Sequence, residues 1–336
     1  MRVSDFDYQL PEELIAQEPL ADRDASRMLV IDRASGTWRD DEFRRFPSYV
    51  GTGDCLVLND SRVIPARLHG HRRGLTGHVE VLLVKPVAGG DGMSWLVLAR
   101  PGRKLRTGEV IEFGNGLECT VTGRNAHGER LVRFQCEGPL EEKLEQTGHV
   151  PLPPYIRRAD TESDRERYQT VYAQEPGSAA APTAGLHFTP PVLNACRARG
   201  VEIARVTLHV GLGTFQPVKE DDVGEVKLHA ERFSVSEEAS RGILAARRVV
   251  CVGTTSCRTV ETTGGRPGSG DTSLFIAPGH RFQVAGALLT NFHLPRSSLL
   301  LLVAAFGGWE LVRAAYEHAV RERYRFYSYG DCMLIQ

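Results

Sequence analysis

Four histidines lie in turn-like stretches of the sequence, where an imidazole can exchange a proton near neutral pH. They are His187, His209, His229 and His293. His187 stands in a run of small residues, 182–189, and His293 stands in the segment 291–295. A lone histidine is more often a hydrogen-bonded structural side chain than a catalytic one. The residue types therefore leave both acid–base catalysis and a structural role open.

Two loops that follow strand-like runs could bind an anionic group or a ribose. The segment VGTTSCR (252–258) offers backbone N–H groups, hydroxyls and an arginine at the start of a predicted helix. It lacks the Gly-Lys-Ser/Thr ending of a P-loop. The segment LHVGLGTF (208–215) contains Gly211 and Gly213 but not the full dinucleotide-binding pattern. A plain strand-to-helix turn is the alternative for both loops.

Positive charge is concentrated in one part of a nearly neutral chain. The sequence has 41 Lys and Arg against 42 Asp and Glu. Between residues 62 and 106, nine basic residues are opposed only by Glu80 and Asp91, a local charge near +7. The next segment, 109–145, has eight glutamates and four basic residues. The basic segment is typical of a polyanion-binding face, and a solvated barrel surface is the alternative.

The elements that must position these residues have two different patterns. Strand-like runs recur every 12 residues or so between 78 and 134, which predicts a small antiparallel β-barrel. Elsewhere strands and helices alternate, with helices predicted at 11–17, at 139–146 and from Pro190, where Thr189 is the N-cap. We therefore predict an α/β main domain with an inserted small antiparallel β-barrel domain. Residues 1–64 plus 150–336 form the main domain, and residues 65–149 form the barrel.

Composition excludes several protein classes. With 41% apolar and 25% charged residues over 336 positions, the chain is unlike a disordered or collagen-like one. The most apolar run, 298–306, is well short of the ~20 residues of a membrane-spanning helix. No apolar signal core follows the N-terminus. The seven cysteines are scattered without a C-x-x-C pair, so we expect no metal site and a reducing, cytoplasmic location.

An ordered set of short stretches resembles one enzyme family, the S-adenosylmethionine:tRNA ribosyltransferase-isomerases of queuosine biosynthesis. The stretches in the first half are DFDYQLP (5–11), IAQEP (15–19), LNDSRVIPAR (58–67), GHVPLPPYI (148–156) and YQTVY (168–172). Those in the second half are APTAGLHFT (181–189), TLHVGLGTF (207–215), GTTS (253–256), LTNFHLP (289–295) and YRFYSYGD (324–331). One departure is the Gly-rich loop between Glu261 and Ser273, where the family usually has a longer, aromatic-containing segment.

The resemblance implies an α/β domain with an inserted barrel, and a specific reaction. Family members transfer and isomerise the ribosyl moiety of S-adenosylmethionine onto 7-aminomethyl-7-deazaguanine at the tRNA wobble position. The product is epoxyqueuosine, and adenine and methionine are released. The resemblance implies no metal, a tRNA with a GUN anticodon as partner, and a monomer without an obligate protein partner.

This chemistry requires particular groups. A base must remove a proton next to the sulfonium, and an acid assists the departure of adenine. Candidates for these catalytic roles are His187, His209 and His293, and Asp60 and Glu231 could face the sulfonium. Thr254, Thr255, Ser256 and Arg258 are candidates for binding the methionine carboxylate or the ribose, and Gly211 and Gly213 would let the backbone approach S-adenosylmethionine closely.

The tRNA requires basic side chains for phosphates and an aromatic side chain for an unstacked base. The basic candidates are Arg62, Arg67, Arg72, Arg73, Arg103, Lys104, Arg106, Arg157 and Arg158. Tyr155 or Phe188 could support the base. Two alternatives stay open: a methyltransferase with an unusual S-adenosylmethionine site, and a non-catalytic RNA-binding protein built on the barrel. The first would leave S-adenosylhomocysteine, and the second would leave S-adenosylmethionine unconsumed.

Overall fold

A large mixed sheet and a closed barrel organise the chain. The computed structural model describes residues 1–87, 89–102, 105–125, 128–211, 218 and 220–336. The strands are β1 (Arg27–Asp32), β2 (Thr37–Glu42), β3 (Asp54–Asn59), β4 (Ser61–Val63), β5 (Arg67–Arg72), β6 (His78–Pro86), β7 (Ser94–Arg100), β8 (Val110–Gly114), β9 (Leu117–Arg124), β10 (Arg130–Gln135), β11 (Glu175–Ser178), β12 (Glu202–Leu208), β13 (Glu231–Val235), β14 (Arg248–Val252), β15 (Gly268–Thr272), β16 (Ala285–Asn291) and β17 (Cys332–Ile335). The α-helices are α1 (Leu140–Thr147), α2 (Glu162–Arg167), α3 (Pro190–Ala198), α4 (Glu237–Ala245), α5 (Gly253–Thr263), α6 (Ser298–Gly307) and α7 (Trp309–Arg321).

The large sheet has nine strands in the order β15-β13-β12-β3-β14-β16-β17-β1-β2. Its four central strands, β12, β3, β14 and β16, are parallel. Because side chains alternate across a strand, Cys55 and Val57 of β3 pack in the core with α4, α5, α6 and α7, whereas Leu56 and Leu58 pack on the opposite face with α3. The sheet is therefore covered on both faces, as expected for buried parallel strands.

The barrel is closed in the order β10-β7-β6-β5-β8-β9, and every pairing in it is antiparallel. The predicted fold class, an α/β main domain with a small antiparallel barrel, is confirmed. β5 was not among the predicted strands, because Gly70 and two histidines interrupt its apolar pattern. A Cβ at Gly70 would lie 2.3 Å from the carbonyl oxygen of Glu112, so only glycine lets β5 and β8 approach this closely.

The chain enters and leaves the barrel at adjacent points. Arg67, at the start of β5, forms an isolated antiparallel bridge with His149, and each of the two residues donates its N–H to the other's carbonyl. The barrel strands run from Arg67 to Gln135, and α1 follows them. The domain boundaries after residues 64 and 149 stay a prediction.

Local signals predicted some helices and not others. The side chain of Thr189 accepts the N–H of Val192 at the start of α3, as predicted. A helix of eight residues, α1, lies close to the predicted 139–146. The prediction at 11–17 was wrong, because only a single 3-10 turn, Glu12–Leu14, forms there. Among the described residues no single helix is long and apolar enough to cross a membrane; α6 and α7 reach that composition only together, across a bend of 116°.

Candidate functional site

The candidate site lies at the carboxyl edge of the four parallel strands, where open α/β sheets bind their ligands. Asp60 follows β3, and His209 follows β12. Gly253 begins α5 directly after β14, and His293 follows β16 by two residues. Residues that are far apart in the sequence therefore share one edge because their strands point the same way.

At one end of this edge, Asp60 and His209 lie near a third titratable group. The Asp60 carboxylate is buried and accepts a hydrogen bond from the Thr207 hydroxyl at 2.7 Å. Burial raises the pKa of Asp60, and the neighbouring charge of Glu175 raises it further. Burial, followed by the charge of Arg232, lowers the pKa of His209, whereas Glu175 raises it. The charge of Glu175, which was not among the predicted site residues, thus acts on both Asp60 and His209.

The start of α5 forms the centre of the edge. Gly253 has φ +89°, a left-handed conformation that turns the chain directly from β14 into the helix. Thr254 and Thr255 are buried there. The Ser256 hydroxyl donates to the carbonyl of Val252 at 2.8 Å, so it is occupied by its own helix. Ser256 can therefore accept a hydrogen bond from a ligand, but donating one to a ligand would break the bond to Val252.

Two residues that were predicted to bind different parts of a ligand instead contact each other. Arg258 Nη1 lies 2.5 Å from Glu231 Oε2, and both side chains are buried. Glu231 Oε1 also accepts the N–H of Gly211 at 2.8 Å, and Arg258 Nε donates to the carbonyl of Leu274. This ion pair connects α5, β13 and the loop after β12, so its first role is to hold these three elements together.

His187 is held between two polar side chains. Its Nδ1 lies 2.7 Å from Ser26 Oγ, and its Nε2 lies 3.3 Å from Asn291 Nδ2. Burial lowers the pKa of His187 to about 4, so the ring is neutral near pH 7. Because both ring nitrogens are engaged, His187 is placed to orient neighbouring groups rather than to take a proton from a ligand.

His293 is similarly enclosed. Its Nε2 lies 2.7 Å from Thr290 Oγ1, and the Tyr8 hydroxyl donates to its carbonyl at 2.5 Å. Burial lowers the pKa of His293 to about 3. Of the three predicted histidines, His209 is the least buried, and its Nδ1 has no hydrogen-bond partner among the described residues, so we regard it as the first candidate to accept a proton.

Buried polar atoms without partners mark the same edge. In the described part of the chain they include Tyr172 Oη, His209 Nδ1, Thr255 Oγ1, Arg258 Nη2 and Asn291 Oδ1. Buried polar groups are nearly always satisfied by protein, water or ligand. These atoms therefore fit a polar ligand at the carboxyl edge. Tyr172 and Asn291 were not among the predicted site residues, although both lie in stretches that carry the family resemblance.

Part of the predicted basic face is paired with glutamates in the fold. Arg72 pairs with Glu109 at 3.2 Å, and Arg73 pairs with Glu112 at 2.8 Å and with Glu118. The reason is that β5 pairs with β8 and β8 pairs with β9, which brings the basic and acidic segments together. Arg72 and Arg73 are thus ion-paired rather than unpaired cations, the Arg73 side chain stays half exposed, and their contact with tRNA stays a prediction.

Other predicted tRNA contacts also have partners inside the protein. Arg67 lies 3.6 Å from Glu80, and Arg62 lies 4.0 Å from Glu145. Arg157 pairs with Glu12 on the surface, and both oxygens of the buried Asp164 carboxylate accept hydrogen bonds from Arg158. Arg158 is thus an internal structural residue. In the described part of the chain the Arg106 guanidinium has no carboxylate partner, and Arg103, Lys104 and Gly213 lie outside the described residues.

The two aromatic candidates differ. Phe188 is fully buried and packs edge-on against Phe43 and Phe46, at centroid distances of 5.0 and 5.4 Å. It cannot stack on a nucleobase without unpacking this core, so that suggestion was wrong. Tyr155 is half-buried, its ring lies 4.6 Å from that of Tyr327, and its hydroxyl lies 2.6 Å from Ser328 Oγ.

Comparison with known proteins identifies the family. A model of the family described as "Queuosine biosynthesis protein" matches residues 3–335. The chain belongs to this family. Two relatives named S-adenosylmethionine:tRNA ribosyltransferase-isomerase match over the full length of both chains. The one from Solibacter usitatus is 57% identical, and the one from Symbiobacterium thermophilum is 54% identical.

A solved member of the queuosine biosynthesis family has a similar structure. The S-adenosylmethionine tRNA ribosyltransferase from Thermotoga maritima is 37% identical, with a TM-score of 0.55 over 99% of this chain and all of that one. Within the described residues, no group of three or more His, Cys, Asp or Glu side chains could hold a metal ion.

Proposed function

We propose that this protein transfers and isomerises the ribosyl moiety of S-adenosylmethionine onto 7-aminomethyl-7-deazaguanine at the tRNA wobble position. The product would be epoxyqueuosine, with adenine and methionine released. The observation that carries the proposal is the end-to-end match, across both the sheet and the barrel, to two relatives that bear the ribosyltransferase-isomerase name. The partner would be a tRNA with a GUN anticodon, and the protein would act in the cytoplasm.

The carboxyl edge supplies groups of the kinds that this reaction needs. His209 is neutral near pH 7 because burial lowers its pKa, so it can accept the proton that leaves the carbon next to the sulfonium. Asp60 is a carboxyl group whose pKa is raised by burial, and it can hold a proton or face the sulfonium cation. The start of α5, with Thr254 and Thr255, suits the ribose or the methionine carboxylate.

The protein's contribution to tRNA binding would come from its remaining accessible cations. Arg73 is half exposed even though it is paired, and an RNA phosphate could share its guanidinium with Glu112. Arg62 is also more than half exposed. Phosphate contacts of this kind make tRNA affinity fall steeply as salt rises.

The deciding experiment is to incubate the purified protein with S-adenosylmethionine and a tRNA that carries 7-aminomethyl-7-deazaguanine. We expect free adenine and methionine in equal amounts, and a nucleoside with the mass of epoxyqueuosine. S-adenosylhomocysteine in their place would indicate a methyltransferase. Binding of tRNA without consumption of S-adenosylmethionine would indicate a non-catalytic RNA-binding protein.

The same assay tests the base. We expect His209→Gln to slow adenine release by about 100-fold or more, the usual contribution of a general base. The control is His318→Gln, which removes a histidine of α7 that bonds to Asp40 at the outer strand β2. If His209→Gln and His318→Gln turn over equally well, His209 is not the base.

A further inference from the structure

A pocket with a free volume of about 20 Å³ lies against His187. None of the other residues that line it has a predicted catalytic or binding role. Ser26, Arg23 and Arg167 contribute polar groups to it, and Leu186 and Gly330 are also part of the lining. The space admits one water-sized group, such as a single oxygen of a larger ligand whose remainder stays at the mouth. The chemistry of the walls therefore decides which group fits.

The hydrogen-bond network assigns the direction of the Ser26 hydroxyl. Asn291 Nδ2 donates to the carbonyl of Tyr327 at 3.0 Å, which fixes the orientation of the amide. The same nitrogen donates to His187 Nε2, so Nε2 is an acceptor and the ring proton of the neutral imidazole is on Nδ1. Nδ1 then donates to Ser26 Oγ. The hydroxyl hydrogen of Ser26 must point elsewhere, and Ser26 forms part of the pocket wall.

The two arginines of the pocket carry charge without a carboxylate partner among the described residues. Arg23 donates to the carbonyls of Glu166, Arg167 and Leu186. Arg167 donates to the carbonyls of Leu20 and Ala21, and its buried Nε has no partner. These bonds hold segments of the chain together, and the only carboxylate charge shown to act on Arg23 among the described residues is that of Glu166, whose carboxylate is not in hydrogen-bond contact with it.

A third guanidinium adds to the positive field. Arg325 bonds to the carbonyl of Glu18, its buried Nη1 has no partner, and its charge acts on His187 together with that of Arg23. The charge of Asp331 opposes that of Arg325. That carboxylate is already bonded to the backbone N–H groups of Arg27 and Arg325. The pocket thus presents donors and positive charge on several sides.

We propose that this pocket, formed by Ser26, Arg23 and Arg167, is an oxyanion subsite of the enzyme. Guanidinium donors bind both carboxylate and phosphate oxygens. The inference rests on the proposed function for the source of the anion, which is either the methionyl carboxylate of S-adenosylmethionine or a phosphate of the tRNA. His187 has a positioning role here, because it directs the Ser26 hydroxyl toward the ligand.

The first test measures binding of inorganic phosphate to the intact protein by calorimetry, with Ser26→Ala, Arg167→Gln and Arg33→Gln as variants. Arg33 is the matched control because it too donates to two main-chain carbonyls, those of Phe306 and Gly286, but it follows β1 at the opposite edge of the sheet. We expect Arg167→Gln to weaken phosphate binding about tenfold, as for loss of a charged hydrogen bond. Ser26→Ala should weaken it severalfold, and Arg33→Gln should leave it unchanged.

The second test identifies the source of the anion. The affinities of the same variants are measured for S-adenosylmethionine and for an unmodified tRNA transcript over a salt series. If the variants lose affinity only for S-adenosylmethionine, the subsite is supported and its ligand is the methionyl carboxylate. If they lose affinity only for tRNA, and that affinity depends less steeply on salt, the subsite is supported and its ligand is a phosphate.

A third measurement does not depend on any variant's folding. Phosphate titrated into the wild-type protein should shift the ring-nitrogen resonances of His187 in nitrogen-15 NMR spectra. The reason is that the Ser26 hydroxyl would contact both the phosphate and the imidazole. Equal phosphate affinity in all variants, or unshifted His187 resonances, would overturn the subsite. Failure of the wild-type protein to release adenine would instead refute the proposed function, while the phosphate measurements would still decide the subsite.

Discussion

The buried ion pair between Arg258 and Glu231 gives the sharpest test of how the candidate site is held together. The perturbation is Glu231→Gln, which keeps the side-chain shape and removes the charge. The Arg258 guanidinium would then be left in a site where it is only 4% exposed, without the carboxylate that lies 2.5 Å away. Breaking a buried pair in this way costs about 3–5 kcal/mol.

This cost is a large part of the stability of the protein. Domains are stable by about 5–15 kcal/mol, so the variant should lose at least about a fifth of its free energy of unfolding. Urea unfolding followed by circular dichroism at pH 7 measures the loss. The control is Glu317→Gln in the exposed pair of Glu317 with Arg313 on α7, at 3.2 Å, where a loss of at most about 0.5 kcal/mol is expected.

A double variant separates the ion pair from simple loss of packing. Arg258→Met with Glu231→Leu removes both charges, and we expect it to be more stable than Glu231→Gln alone, because no unpaired charge is left buried. The reasoning is refuted if Glu231→Gln costs no more than Glu317→Gln. It is equally refuted if the double variant loses as much free energy of unfolding as Arg258→Met and Glu231→Leu lose when their separate effects are added.

Two further predictions concern acid stability and packing at the site. His187 and His293 have folded pKa values of about 4 and about 3, below the unfolded value of about 6.5. The unfolded chain therefore takes up these protons first as the pH falls, so stability is complete above pH 6.5 and declines below it. Lowering the pH from 7 to 5 should reduce the free energy of unfolding by about 2 kcal/mol for each of the two histidines. Urea unfolding of His293→Gln should show a smaller decrease between these pH values than the wild type, and an equal decrease would contradict the prediction. The second change is Gly185→Ala, whose Cβ would lie 2.1 Å from the Tyr172 hydroxyl oxygen. It should cost about 1–3 kcal/mol by overpacking, and less in a Tyr172→Phe background, where the same cost would show that the hydroxyl is not the obstacle.

The local sequence predicted the structure correctly wherever the deciding signal lies within a few neighbouring residues. The recurring strand-like runs between 78 and 134 predicted the barrel, and Thr189 before Pro190 predicted the start of α3. Both signals act over a few residues, through the alternation of side chains along a strand and through one cap hydrogen bond. The prediction at 11–17 failed because a helix-like composition there yields to contacts with distant segments, such as the bridge from Ile15 to Phe326.

Pairing between strands changed the interpretation of charge. The segment 62–106 is strongly basic when it is read along the chain, yet Arg72 and Arg73 meet glutamates that are 37 and 39 residues away. The antiparallel pairing of β5 with β8 brings them together, and β5 itself was not predicted because Gly70 interrupts its pattern. Since charges interact through space, a charge count along the chain could not show this neutralisation.

The sequence by itself determined the family, the two-part architecture and the residue types that stand after each parallel strand. Only the tertiary structure decided which of those residues are available to a ligand. His187 is occupied by Ser26 and Asn291, and Arg258 is occupied by Glu231, whereas His209 keeps a nitrogen without a partner among the described residues. The physical reason is that hydrogen bonds and ion pairs form over about 3 Å in space, between side chains that here are up to 161 residues apart in the chain.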